Sequence, residues 1–237
     1  MKARFLALIS VALCAVSCIS SVPYAEGEIE ERTYTIEGDI TALAVSAGFD
    51  VVVDATLPKG EVRITTHSDL FEDVEVAVEN NSISLKIKSF SRRPKTLKAI
   101  VPDYNYDAVA ISGGVDLLWE GCLSRNLTLA ASGGAEAKIT AIETDNLTVV
   151  VSGGADAEIE GACNILSAAV SGGADLMAGT LEAKSADVVA SGGADAVVVA
   201  TESLNIAASG GADVVYIGEP EHSDIKTSGG ASVSHRY

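Results

Sequence analysis

The sequence predicts an all-β protein built as a parallel β-solenoid, and three observations predict it. A phrase of the form Ser-Gly-Gly-Ala-Asp recurs with its serine at Ser112, Ser132, Ser152, Ser171, Ser191, Ser209 and Ser228. The steps between those serines are 20, 20, 19, 20, 18 and 19 residues, and self-similarity at a fixed period of that length marks stacked repeats. Composition agrees: 48% of the 237 residues are hydrophobic but only 5% are aromatic, so the apolar mass lies in Ala, Val, Ile and Leu, which suit thin β layers. After the first residues no stretch holds a helical period, because glycine and β-branched residues interrupt every candidate.

At the N-terminus, Lys2 and Arg4 precede an apolar stretch, Phe5 to Val16. That stretch is too short to span a bilayer, so residues 1–17 are predicted to be an export signal. Ala15-Val16-Ser17-Cys18 resembles a lipobox, which makes Cys18 the lipidation candidate and the product an envelope lipoprotein of the outer membrane. Ordinary cleavage after Ser17, leaving a soluble protein, is the alternative. Losing Lys2 and Arg4 leaves 14 basic against 33 acidic side chains, which moves the net charge from −17 to −19. Such a balance repels nucleic acid and anionic headgroups, so the only membrane contact expected is the lipid anchor. Residues 18–32, with the acidic run from Glu26 to Glu31, have no periodicity and are predicted to form a tether.

Residues 33–105 are β-rich without the strict repeat. Strands are expected at Thr41–Ser46, Phe49–Ala55, Glu61–Thr66, Val74–Glu79, Ser82–Lys88 and Leu97–Val101. Asn80-Asn81 between two alternating runs predicts a hairpin turn, since Asn tolerates positive φ, and hence one antiparallel pair. Ser89 to Lys95, with three basic residues and Pro94, is predicted to be a solvated loop. Ser46-Ala47-Gly48-Phe49-Asp50 is a worn copy of the repeated phrase, so the solenoid is expected to reach back into this segment, whose other strands would cover the first coil.

Residues 106–237 are the repeat region, at roughly 19 to 20 residues per coil. Aligned on the serine, positions five, three and one before it are apolar (Leu127, Leu129 and Ala131, for example), a period of two that points them inward. After the glycine pair the inward positions are filled by Ala135, Ala137 and Ile139 and their equivalents. Two strands thus meet at a Gly-Gly corner, where positive φ costs little and no Cβ collides with the next coil. The last copy, with Ser232, Lys226 and Thr227 replacing its consensus residues, reads as a capping coil. Cys122 and Cys163 fall in coils two repeats apart, about 9.6 Å, beyond disulfide reach, so both are predicted reduced and buried.

The chain resembles the putative auto-transporter adhesin, head GIN domain family, exported proteins found chiefly in Bacteroidetes. The likeness rests on Gly48-Phe49-Asp50-Val51-Val52-Val53, on the strand-turn-strand from Val78 to Lys88, and on Val101-Pro102-Asp103 leading into Ile111-Ser112-Gly113-Gly114. It continues through Tyr216-Ile217-Gly218-Glu219-Pro220 and the closing Thr227-Ser228-Gly229-Gly230-Ala231-Ser232-Val233. The resemblance implies a right-handed parallel β-helix at the cell envelope and brings no catalytic residues with it.

Two columns are candidate sites. Asp116, Glu136, Asp156, Asp175, Asp195 and Asp213 stack their carboxylates, with Asp50 extending the row. At about 4.8 Å spacing neighbours repel by roughly 0.9 kcal/mol in water. Hydrogen bonds from the corner amides would offset this, and Ca²⁺ between the coils is the metal alternative. Gly-Gly-x-Asp is similar to the calcium-binding nonapeptide repeat but lacks its second glycine and its period. The second column, Ala110, Ala130, Val150, Ala169, Val189 and Ala207, should point outward yet is apolar, and so is a possible contact face. The leading expectation is a non-catalytic adhesin or binding scaffold presenting this flat face to a glycan, a protein or a second copy, with no cofactor. A polysaccharide-active β-helix enzyme is the further alternative. Only His67, His222 and His235 are available to it, and repeated serines argue for architecture, since a catalytic triad would single one out.

Overall fold

A computed structural model of the protein describes residues 22–89 and 91–237; the export signal and Cys18 lie outside them. The N-terminal part carries β1 (Ile29–Thr35), β2 (Ala42–Ser46), β3 (Asp50–Asp54), β4 (Glu61–His67), β5 (Val74–Glu79), β6 (Ser82–Ile87) and β7 (Leu97–Pro102). The repeats carry β8 (Ala108–Ser112), β9 (Asp116–Glu120), β10 (Asn126–Gly133), β11 (Glu136–Gly153), β12 (Asp156–Gly172), β13 (Asp175–Gly192) and β14 (Asp195–Val199). The chain ends with β15 (Ser203–Gly210), β16 (Asp213–Ile217), β17 (His222–Thr227) and β18 (Ser232–Arg236). The strands build a β-solenoid, each coil contributing one strand before the Gly-Gly corner and one after it.

The columns of the aligned sequence are columns in space. On the first face Ser112, Ser132, Ser152, Ser171, Ser191 and Ser209 stack in parallel register. On the second, Asp50, Asp116, Glu136, Asp156, Asp175, Asp195, Asp213 and Ser232 do the same. The worn copy at Ser46 is therefore a true coil, with Ser46 on Ser112 and Asp50 on Asp116. The coils do not follow chain order at this end. β2 and β3 lie between β8 and β9 on one side and the later strands β6 and β7 on the other.

Antiparallel strands close that end. β5 pairs with β6 through the hairpin, with Asn80 and Asn81 at φ 50° and 65°; β4 pairs with β7, and β1 with β4. β1 begins at Ile29, so the ordered fold starts inside the stretch read as a tether. Tyr24 bridges to Arg93, and Ala25 is fully buried. The predicted basic loop is tied down as well. Arg92 pairs with Asp69, while Arg93 and Lys95 lie over the Tyr24 ring at 5.9 and 5.7 Å.

The inward columns are buried up to the last coil, Leu127, Leu129, Ala135 and Ile139 among them, and each large aliphatic contributes roughly 1.5–3 kcal/mol by leaving water. From the second copy to the sixth, only the first glycine of the corner needs to be glycine; in the first copy Gly114 also has a positive φ, 79°. Gly172 has φ 83°, and an added Cβ would stand 2.9 Å from Gly153 O; beside the second glycine, Gly154, the nearest atom would be 3.6 Å away. Corner amides are satisfied coil to coil, as in Gly154 N–H to Gly133 O at 2.8 Å and Asp156 N–H to Ala135 O at 2.9 Å. This corrects the expectation that the corner amides bond the carboxylates: the backbone ladder already takes them.

Cys122 and Cys163 are free and buried, as the coil spacing predicts. Burial, and then the nearby Asp103 charge, push the Cys122 thiol up to about 12; burial alone pushes Cys163 to about 11. An unfolded chain releases these protons near pH 9, so above that pH the folded state binds more protons than the unfolded one and stability falls as pH rises toward 11–12. Tyr106, raised mainly by burial, adds in the same direction. Denaturant midpoints at about pH 8 and about pH 10.5 are expected to show this loss, and the Cys122→Ala/Cys163→Ala variant should lose less. An equal loss in the variant would assign the effect to other groups.

Candidate functional site

The second face sets its carboxylates outward, one per coil, from Asp50 to Asp213. All are exposed except the half-buried Asp175. The column ends on Lys98 at the capped end and on Ser232 at the other. Among the described residues no three His, Cys, Asp or Glu side chains gather in a metal-holding group. In-register stacking separates neighbouring acids by one strand spacing and points them side by side, so the row is a linear charge and not a converging ligand shell.

The apolar column on the first face points outward as predicted. Val150 is 40% and Val189 55% exposed, while Ala110 and Ala130 are half-buried between their neighbours. Sequence reasoning missed a second exposed apolar column, beside the acids on the other face. It contains Val52, Leu118 and Met177, and the Lys138–Glu158 ion pair at 2.8 Å interrupts it. The Glu158 hydrogen bond, foremost, raises the Lys138 ammonium above its ordinary value. The signal was available six residues after each serine, but the mixture of Leu, Lys, Glu, Met and Val there hides any single residue type.

A further feature comes from the variable return segments. A groove of about 670 Å³ runs along the axis there. Its floor is small, with Ser124, Thr144, Cys163 and Ala183 on successive coils; Glu143 and Glu182 stand on one wall, Arg125 and Lys184 on the other. The groove sets Glu143, Glu182, Arg125 and Lys184 around Ser124 and Cys163, but burial holds the Cys163 thiol protonated. The histidines are dispersed. His67 is buried with Nδ1 2.7 Å from Gly27 O, His222 is exposed at the start of β17, and His235 stacks on Tyr216 with Nε2 2.8 Å from Gly218 O. The columns repeat once per coil along the axis, and the groove runs across several coils beside them.

Comparison with known proteins places this geometry. The family described as "Putative auto-transporter adhesin, head GIN domain" matches residues 39–220. No curated protein matches the chain. Among solved structures, a putative adhesin from Bacteroides fragilis superposes with a TM-score of 0.82 at 21% identity, covering 90% of this chain and 99% of that one. A putative lipid binding protein from Parabacteroides distasonis gives 0.69 at 18% identity, over 90% and 98% of the two chains. A putative adhesin from Parabacteroides merdae gives 0.68 at 15%, again over 90% and 98%. At these identities the likeness carries the fold alone.

Proposed function

Because the chain belongs to the putative auto-transporter adhesin, head GIN domain family, we propose that it is a non-catalytic scaffold of the cell envelope that holds a surface partner along the solenoid axis. The observation that carries this reading is the outward apolar column of the first face. Val150 and Val189 stand 40% and 55% exposed on a flat sheet whose inward columns are already filled. Side chains there do nothing for the core, and a row of small apolar groups flanked by Thr148, Asp187 and Asn205 suits a flat partner with apolar and hydroxyl-bearing surface. Dispersed histidines, and the absence of any group of three His, Cys, Asp or Glu side chains among the described residues, favour binding over catalysis.

Glycan arrays and intact bacterial or host cells, probed with purified protein, test the reading. Binding of one class of surface is expected, and the Val150→Lys/Val189→Lys variant should weaken it by about tenfold or more, since a charge would be set into an apolar contact. Thermal melting should be unmoved, because neither side chain packs in the core. Binding that survives the double substitution would remove this face from consideration.

A further inference from the structure

We propose that the outer edge of the C-terminal coil is a self-association surface, on which a second copy of this chain docks by antiparallel pairing of β17 with its own symmetry mate about a two-fold axis at Ile225.

The two ends of the solenoid differ. At the N-terminal end the strands β5, β4 and β1 run antiparallel to their neighbours, whereas β17 and β18 continue the parallel coils and pair, among the described residues, only inward with β15 and β16. Every residue of β17 is exposed. Ile225 occupies the inward column that holds Val188 and Ile206, each 2% exposed, yet it is itself 39% exposed. The N–H groups of His222 and Ser228 donate into the solenoid, to Glu202 O and Ala208 O. By strand alternation the N–H and C=O groups of Ser223, Ile225 and Thr227 then face the open end. Unpaired edge groups above an uncovered core form a template for another strand.

The edge is complementary to itself. With the axis at Ile225, Ile225 faces Ile225, Ser223 faces Thr227, and Asp224 faces Lys226 of the second copy. The residues that would face each other include those whose backbone groups point outward, so they can exchange hydrogen bonds as an antiparallel ladder requires. Inward, two isoleucines would join the cores and the Ser and Thr hydroxyls would pair. Outward, Asp224 and Lys226, which form an ion pair within one chain, would each gain a partner of opposite sign.

Charge favours this end over any other surface. The chain carries a net −17, but from His222 to Tyr237 it has one acid, Asp224, and two bases, Lys226 and Arg236. The carboxylate column stops at Ser232 on the same coil. Two copies can therefore meet there without opposing like charges, whereas apposing the second faces would set one carboxylate row against another. Pairing of β17 with its own symmetry mate uses the same edge on both copies, so the contact is isologous and ends at a dimer.

Sedimentation equilibrium on the purified chain over a wide concentration range tests this. A dimer is expected, Asp224→Lys should dissociate it, and Asp224→Lys/Lys226→Asp should restore it. Ile225→Pro removes an N–H that points away from β15, so it should abolish the dimer while leaving the β-sheet circular dichroism unchanged. A species that stays monomeric, open-ended polymers, a dimer indifferent to Asp224→Lys and Ile225→Pro, or a charge-swapped variant that stays monomeric would each overturn the proposal.

Discussion

Gly161→Ala is expected to lower stability by about 3–5 kcal/mol, and the thermal midpoint by roughly 10 °C, although it adds a single methyl group. Gly161 has φ 134°, a conformation closed to residues with a Cβ. An added Cβ would lie 2.3 Å from Ile142 O and 2.6 Å from Ile142 N, backbone atoms of the coil beneath that cannot move without breaking the ladder. The position lies nine residues after Ser152. The equivalent positions Gly121, Ala141 and Gly218 also have positive φ, at 80°, 54° and 103°, so this is a further corner of the coil. Gly154→Ala is the matched control. Its φ is not positive and its nearest atom would be 3.6 Å away, so its melting should stay within a degree or so of the parent. Equal losses in the two variants would show that the clash, not the conserved glycine pair of the phrase, is the wrong criterion.

Trp119→Ala should cost about 3–5 kcal/mol, the other large loss expected from one substitution. Trp119 is fully buried in β9, stacked between Val53 on one side and Ile139 and then Ile159 on the other. Its ring meets the edge of Tyr106 at 5.6 Å and 75°, and its indole N–H donates to Asp103 at 3.2 Å. Tyr106 in turn donates to Pro102 O at 2.7 Å. The indole thus fills the coil where the segment between β7 and β8 crosses from the irregular part into the repeats. Its removal leaves a cavity that the small aliphatic side chains of the neighbouring coils cannot fill, with Tyr106 held in place by its own hydrogen bond to Pro102 O. Trp119→Phe keeps the edge contact and forfeits the hydrogen bond, so equilibrium unfolding should place it between the two; a Phe variant as unstable as the Ala variant would assign the effect to the hydrogen bond.

Much of the candidate surface was legible because stacking turns sequence columns into spatial ones. Val150 and Val189 point outward for the same reason that Leu147 and Val149 point inward: side chains alternate along a strand, and each coil repeats the one before. The acid row was readable on the same grounds, and so was the separation of Cys122 from Cys163. The axial groove was not. Its lining, from Ser124 to Lys184, comes from return segments whose residue types differ from coil to coil, so no column announces it.

What the sequence by itself determined is therefore everything that repeats: a solenoid, its inward and outward columns, its Gly-Gly corner and the hairpin at Asn80-Asn81. Each of these follows from local rules of alternation and φ, restated in every coil. What only the tertiary structure decided is what happens once. It placed β6 and β7 beneath β2 and β3, out of chain order; it made Gly161 irreplaceable; and it closed one end with antiparallel strands while leaving Ile225 uncovered at the other. These depend on which backbone edges meet over long sequence separations, and many Val- and Ile-rich strands satisfy the same alternation. Only the assembled ladder of hydrogen bonds, with the core it encloses, selects one partner for each edge.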